Sequence, residues 1–544
     1  MNHFFLTILL KKKLKKIFRS KYNFKNKNII LIEVNKWPSV QISIAYLTFV
    51  LSGVLKTSNV YGYPENDFYK YLFGKNILEK FYLIVNNFFK IKTYAIYESF
   101  GLKKIISCFN KNSLNIKKSD NFVSDLYKKK VTPNTIQEIK IENILIGDLI
   151  YDTYLKFYKK PTINPKDEDF IFFLRKSVEY FYFWFDFYRK NSVGGVVISQ
   201  AVYNSSMPLR IGANFGVKCF VSSPFHVYNI TKKNTHYFNE SLTYKKEFSK
   251  LSHSNKRAAI EITKKKLQKY FYSGAALPQK LTYMPSSAYS DVNKKNKYNR
   301  VLLKNKKIKV LICPHALSDA PHSRGKHLYP DYYLWLLDIL KISKKTNYQW
   351  YLKLHPNYNQ YWDNTYDIVK ELLHTQYKNV IFLDNQISHN QLISEGISAV
   401  MTCTGSVSAE YAYFKKKSVN ASLVNPHIKF SFSIHPKTKK ELHKVILNIS
   451  KIKTKIDARQ VLIFYFMQQI YYSNDWLLAD LKKTIKQCDG LSNIYKDIFY
   501  SHWLKNFNEK NHTRSINSIK KFISSGDYRI NISHQDISLD KFLK

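Results

Sequence analysis

An α/β chain, with a doubly wound domain in its second half, a parallel sheet in its first and a C-terminal helical extension, is predicted by three observations. Between Ile308 and Ile449 short apolar runs alternate repeatedly with helix-period segments. The same alternation, less regular, runs from Asn28 to Val221. From Ala458 the pattern is helical and charged, apart from the apolar segment Val461–Tyr472. With 544 residues, 45% of them apolar, the chain is long enough for two or three cores.

The elements follow in order. A basic leader, 1–27, places the apolar block Met1–Leu10 ahead of Lys11-Lys12-Lys13-Leu14-Lys15-Lys16, the reverse of a secretory signal, with no small-residue cleavage site. The block is too short to span a bilayer. A basic amphipathic segment on an anionic inner leaflet and a frayed leader are both open readings. Asn28–Val34 reads as a buried strand and Val40–Leu55 as a helix; Val60–Tyr63 and Tyr94–Tyr97 are strand–turn signals flanking a helical pattern from Phe68 to Phe89. The polar, Lys-rich residues 102–144 carry no assignment. Asp167–Lys190 is a long aromatic helix; Arg175, Lys176, Glu179 and Asp186 favour a core helix over a membrane element. Val196–Ile198 and Val217–Val221 return to strands, closing a first domain over 28–230. A stretch rich in Lys, Asn, Ser and Tyr, 231–304, is the expected connection, with one helix around Ala258–Tyr272.

In the second domain, 305–452, strands are expected at Ile308–Cys313, Tyr348–Leu354, Asn379–Leu383, Ala399–Thr404 and Ser418–Leu423. Helices are expected at Tyr332–Ile342, Thr365–His374, His389–Glu395, Ser406–Phe414 and Lys439–Ile449, and a helical region over 453–544. No fixed-period repeat is present. The cysteines Cys108, Cys219, Cys313, Cys403 and Cys488 are far apart, several inside apolar runs, which fits a reducing compartment.

The formal charge of +48, from 87 Lys+Arg against 39 Asp+Glu, points to anionic lipid, phosphate or nucleic acid. The chain is equally crowded with Tyr (42) and Phe (37) and poor in Gly (15) and Pro (15), the compositional drift of an AT-rich genome. No RNA-binding or helix-turn-helix pattern appears, and nucleic acid is not an expected partner.

The chemistry-bearing residues stand at strand ends. In Lys353-Leu354-His355-Pro356 the proline ends the strand and places Lys353 and His355 at the sheet's carboxyl edge, at an exposed strand end, where an imidazole can bind a phosphate or protonate a leaving oxygen. Thr404-Gly405-Ser406 turns from strand to helix, with N–H groups and hydroxyls suited to phosphate; Ser406 also reads as a plain N-cap. Glu410, one helical turn on, can face the same crevice and accept ribose hydroxyls, or be a solvated helical residue. After the first strand of this domain come His315, Asp319, His322, Arg324 and His327, whose spacing matches no tight metal-ligand set. In the first half, Asp148 and Asp152 offer a general base or an Asp-capped turn.

The run from Val310 to Val419, with Lys-Leu-His-Pro at 353–356 and Thr-Gly-Ser-Val-Ser-Ala-Glu at 404–410, resembles the capsule polysaccharide biosynthesis glycosyltransferases, including the Kdo transferases, and more loosely the bacterial sialyltransferases. The resemblance implies two Rossmann-like domains facing a cleft (GT-B-like), an acceptor-side domain over 28–230, and a nucleotide-sugar-binding domain over 305–452. It also implies no metal and no cofactor. The donor, CMP-linked sugars included, would lie on His315, Lys353, Thr404, Gly405, Ser406 and Glu410, with His355, Asp319 and Asp152 as catalytic candidates. The acceptor would be lipid-linked or a growing surface polysaccharide, and the enzyme cytoplasmic and peripheral on the inner face of a bacterial plasma membrane. Two rivals remain: a polyol-phosphate (CDP-glycerol type) transferase, and a non-catalytic basic membrane- or nucleic-acid-binding protein.

Overall fold

The computed structural model describes residues 3–19, 24, 26–73, 93–108, 114–273, 288–289, 299–361, 363–453, 456–472, 476–477, 481–535 and 539. The chain divides into two compact units, one of Met1–Ile150, Asn164–Tyr237 and Tyr472–Ser538, the other of Tyr151–Ile163, Phe238–Tyr471 and Leu539–Lys544.

In the first unit the strands are β1 (Asn26–Val34), β2 (Thr57–Pro64), β3 (Leu102–Ile105), the small antiparallel pair β4 (Lys140–Ile141) and β5 (Ile144–Leu145), β6 (Val193–Ile198), β7 (Lys218–Ser222) and β8 (Val227–Ile230). The main sheet runs β3-β2-β1-β6-β7-β8, parallel except for β8, so its strand order reverses between β1 and β6. Ile30, Leu31 and Ile32 are 0% exposed, as a central strand covered on both faces requires. The helix Pro38–Leu55 is long and apolar enough to cross a membrane, yet 83% of it is buried in the unit. It lies close on β6 because Gly195 has no side chain there: a Cβ would come within 2.6 Å of Leu51. The aromatic helix Glu168–Lys190 is a core helix, with Tyr180, Phe181 and Trp184 fully buried.

Two expectations need correction here. Tyr94–Tyr97 lies in a helix, Thr93–Ser99, not a strand. Ile96, Tyr97 and Phe100 form its buried face at helical spacing, and the strand begins only after Gly101 reverses the chain at φ 116°. The leader is the helix His3–Leu14 continued by a π-helical turn, Lys15–Arg19. Its stripe Leu6, Leu10, Leu14 and Phe18 is buried in the first unit, Phe18 against Tyr46 and Phe49, so that face is not available to lipid. Most of the expected helix Phe68–Phe89 lies outside the described residues; Asp67–Phe73 is helical. The unassigned 102–144 contains β3, β4, β5 and the helices Leu114–Tyr127 and Pro133–Gln137.

The last part of the first unit comes from residues 476–535. The helix Glu509–Ser525 packs Ser515, Ser518, Ile519 and Phe522 inward, and Tyr500 donates to Gln41 on the helix Pro38–Leu55. Beside β8, Asn229 donates to the Tyr528 carbonyl at 2.8 Å and Ile530 to the Val227 carbonyl at 2.9 Å, which covers the sheet edge.

The second unit holds β9 (Lys309–Ile312), β10 (Gln349–Leu352), β11 (Val380–Phe382), β12 (Ile397–Thr402) and β13 (Lys417–Asn420), all parallel in the order β11-β10-β9-β12-β13. Alternate residues of each strand bury on opposite faces. Val310, Ile312, Trp350, Leu352, Ala399 and Met401 pack with the helix Tyr332–Ser343, and Leu311, Tyr351 and Val400 with Leu392 and Tyr411. Helices therefore cover both faces, and the sheet is doubly wound. Part of the stretch read as a connection is a 21-residue helix, His253–Ser273. Ala259, Thr263, Leu267, Tyr270 and Phe271 form its buried stripe among the lysines, packed against Ala458–Phe466 of the same unit.

Candidate functional site

The carboxyl ends of β9, β10 and β12 bring the predicted residues of the second unit to one sheet edge. Its strand order reverses between β9 and β12, where a crevice opens in folds of this kind. Across that point the Nε2 of His315, beyond β9, accepts the Thr404 N–H at 3.0 Å, and the His315 ring stacks on Tyr332 at 4.4 Å. Burial and the charges of Arg324 and His355 bring the His315 pKa down to about 4. His315 is therefore a neutral ring that holds the 404–406 turn. In that turn the Gly405 N–H donates to Thr402 Oγ1 at 3.2 Å, and a Cβ on Gly405 would sit 2.7 Å from the same oxygen, so only glycine lets the turn close. Ser406 is exposed and does not cap the helix Val407–Tyr413; its hydroxyl donates to Glu410 Oε1 at 2.8 Å.

Lys353 and His355 follow β10 with opposite exposure. His355 is exposed, its Nδ1 accepting the Asn357 N–H at 3.1 Å. Lys353 is 1% exposed, a correction to the exposed strand end expected for both. Leu352 and Leu354 are buried beside it, and its ammonium lies within electrostatic reach of Glu410, Asp384 and Cys313. Burial pulls its pKa from 10.5 to about 8 in spite of those neighbours. Glu410 is raised by burial, although Ser406, Tyr289 at 2.9 Å and Lys353 favour its charged form. The Thr404 and Gly405 N–H groups are taken within the turn, so what remains here for one more negative group, such as a phosphate, is the buried Lys353 ammonium, linked through Glu410 to the exposed Ser406.

The other two candidates are engaged elsewhere in the same unit. Asp319, partly exposed, pairs with Lys156 at 3.4 Å. Asp152 is 2% exposed, and His322 engages both its oxygens, Nδ1 at 2.6 Å and the backbone N–H at 3.0 Å. Its companion Asp148 belongs to the first unit, where it takes a bidentate pair from Arg210 at 3.1 and 3.0 Å and a contact from His236 at 2.9 Å. Among the described residues no group of three or more His, Cys, Asp or Glu is placed to hold a metal ion.

Sequence reading missed Tyr289, which supports Glu410 from a stretch without periodicity, and His389, whose Nδ1 meets the Tyr411 hydroxyl at 2.9 Å. It also missed two acids of the first unit, Glu33 and Glu65. Glu33 lies near the carboxyl end of the apolar strand β1, and Glu65 follows β2 directly, two residues before Asp67.

No protein-family model matches the chain, and no curated protein matches it. Among solved structures it is similar to the UDP-GlcNAc 2-epimerase of Methanocaldococcus jannaschii in complex with UDP-GlcNAc and UDP, at 10% identity over 80% of this chain and 98% of that one, TM-score 0.26. It is similar to KpsC, a beta Kdo 2,4 transferase of Thermosulfurimonas dismutans, at 8% identity over 50% of this chain and 79% of that one, TM-score 0.29. A third is Alr3699/HepE of Anabaena in complex with UDP, at 9% identity over 84% and 99%, TM-score 0.25. Similarity this distant leaves the functional reading to the residues themselves.

Proposed function

We propose that the protein is a glycosyltransferase that binds a nucleotide-activated sugar at the carboxyl edge of β9, β10 and β12. Lys353, His355 and the Thr404-Gly405-Ser406 turn take the phosphates, Glu410 the ribose, and His315 keeps the turn in shape. The observation that carries this reading is the buried Lys353 beside that turn at a topological switch point. The acceptor in this reading is a bacterial surface polysaccharide, capsular or lipopolysaccharide-type, built at the inner face of the plasma membrane. Support for that finer part comes from the resemblance at 353–356 and 404–410 and from the net charge of +48.

The test is a thermal-shift panel of CMP, CDP, UDP, GDP and their sugars. A nucleotide at 100 times its Kd should stabilise the protein by about 2.7 kcal/mol. His355→Ala should keep the fold, since His355 is exposed, and lose transfer. Unchanged turnover in that variant sinks the assignment. Product analysis with CDP-glycerol separates sugar transfer from polyol-phosphate transfer.

A further inference from the structure

The first unit holds a cavity among its C-terminal helices that the donor reading does not use. It has a volume of about 230 Å³ and is lined by the helices Leu481–Gln487, Ile498–Asn506 and Glu509–Ser525, with the buried Tyr46 of Pro38–Leu55 also on its wall. Several polar groups there are spent on shaping it. Asn508 caps Glu509–Ser525 by accepting the N–H groups of Lys510 and Asn511 at 2.8 and 3.3 Å. Asn506 donates to the His502 carbonyl at 2.8 Å, and the Tyr46 hydroxyl meets His512 Nδ1 at 3.1 Å.

Other groups on the same wall are uncommitted. The Thr484 hydroxyl, the Gln487 and Asn511 carboxamides and the Trp503 indole N–H make no hydrogen bond among the described residues. Thr484 is 6% and Trp503 7% exposed, and polar groups buried to that degree are normally paired, so whatever fills the cavity pairs them. Trp503 also meets Phe507 edge to face at 5.2 Å, while Lys13 covers Phe507 with its Nζ 4.0 Å from the ring centroid. This set selects among ligands. The described wall carries no carboxylate, so a cation finds no counter-ion, and its one lysine, Lys483, is exposed and holds an anion only weakly. A hydrocarbon chain would leave the hydroxyl, the carboxamides and the indole N–H unpaired. A sugar ring satisfies them: its hydroxyls both donate and accept, as carboxamides do, and its C–H faces pack on an aromatic ring. The volume sets how much of it enters. Pockets that take a whole ligand run to roughly 300–1,000 Å³, so this smaller one holds a single ring of a chain that continues outside.

We propose that this cavity is a non-catalytic saccharide subsite that holds one sugar unit of a glycan chain, with Trp503 packing on the ring and Thr484, Gln487 and Asn511 bonding its hydroxyls. That the glycan is the acceptor of a transferase rests on the glycosyltransferase reading above; that the cavity takes a sugar rests on its own residues.

The experiment uses the full chain labelled with fluorotryptophan, in which Trp503→Phe identifies the Trp503 resonance, and the probes are chitotetraose, maltohexaose and tetragalacturonate. At least one probe should shift that resonance in the native protein. Gln487→Ala combined with Asn511→Ala, both on the surface side of the cavity wall and outside the packed core, should weaken binding of the same probe by about 10-fold or more, with the melting temperature and the nucleotide thermal shift unchanged. A Trp503 resonance indifferent to all three glycans, or moved with native affinity in the folded double variant, overturns the proposal. So does a resonance moved only by phosphatidylglycerol vesicles, which assigns the cavity to a lipid headgroup. Should the double variant not fold, the native titration against glycans and vesicles decides alone. If a glycan moves Trp503 and no nucleotide raises the melting temperature of the native protein, the saccharide site stands and the glycosyltransferase reading is what fails.

Discussion

Replacing Lys353 by methionine should stabilise the unliganded protein while impairing it. The side chain is 1% exposed, and burial lowers its pKa from 10.5 to about 8. At 1.36 kcal/mol per unit, holding the charge in the folded state costs about 3 kcal/mol relative to the unfolded chain. That cost is already net of the attraction of Glu410 and Asp384, so methionine of similar length should give a gain of about 1–3 kcal/mol at pH 7. For a domain of this size each kcal/mol moves the melting temperature by about 2–4 °C. The sign with pH is fixed by the direction of the shift. Below pH 8 both states hold the proton and the full cost is present. From there to about 10.5 the folded state releases it first, so native stability rises and its deficit against the variant shrinks. Thermal melts of both proteins at pH 7, 8.5 and 10, without and with nucleotide, measure this directly. A variant less stable than the native protein at pH 7, or a difference that does not change with pH, would refute the account of Lys353 as a strained cation waiting for a phosphate.

Three further outcomes are expected. Nucleotide affinity should fall as pH rises through about 8, where Lys353 loses its charge, and calorimetric Kd values flat from pH 6.5 to 9.5 would remove Lys353 from the phosphate site. Arg210→Met should cost about 3–5 kcal/mol in urea unfolding, because it strands the buried Asp148. Against the burial that would raise it, Arg210 and His236 hold the Asp148 carboxyl well below the usual range, so the native pair's contribution is present above pH 4 and lost as pH falls below it. Changing the exposed Lys12, Lys15 and Lys16 to glutamine should weaken binding to acidic vesicles by roughly 1 kcal/mol per residue, in a salt-dependent way, without altering the melting temperature. Deleting the leader is the wrong variant for that test, since Leu10 and Leu14 are 0% exposed.

The second unit was legible because its central strands are continuous apolar runs, such as Val310-Leu311-Ile312, stopped by proline or glycine at the carboxyl edge. That places the ends where site residues stand. Contacts between residues far apart in sequence were not legible. Asp152 and His322 are 170 residues apart, and nothing in either segment announces the other. The burial of Lys353 was hidden for the same reason: a Lys-Leu-His-Pro string reads as a surface strand end until Glu410 and Asp384 are seen to face it. Tyr94–Tyr97 misled because four residues satisfy strand and helix periodicity equally well.

The order in which residues enter the two units bears on synthesis. The first unit needs 472–538 to cover the helix Pro38–Leu55 and the edge of β8, but nearly all of the second unit lies in the unbroken stretch Phe238–Tyr471. On a ribosome the usual sequence of events is inverted, because the sheet translated first waits for helices translated last. At roughly 5–20 residues per second this delay lasts from about ten seconds to about a minute, during which apolar surface of the early unit is exposed. A chaperone-sized hazard is thus written into the chain order, and a stop at Tyr471 should yield an insoluble first unit.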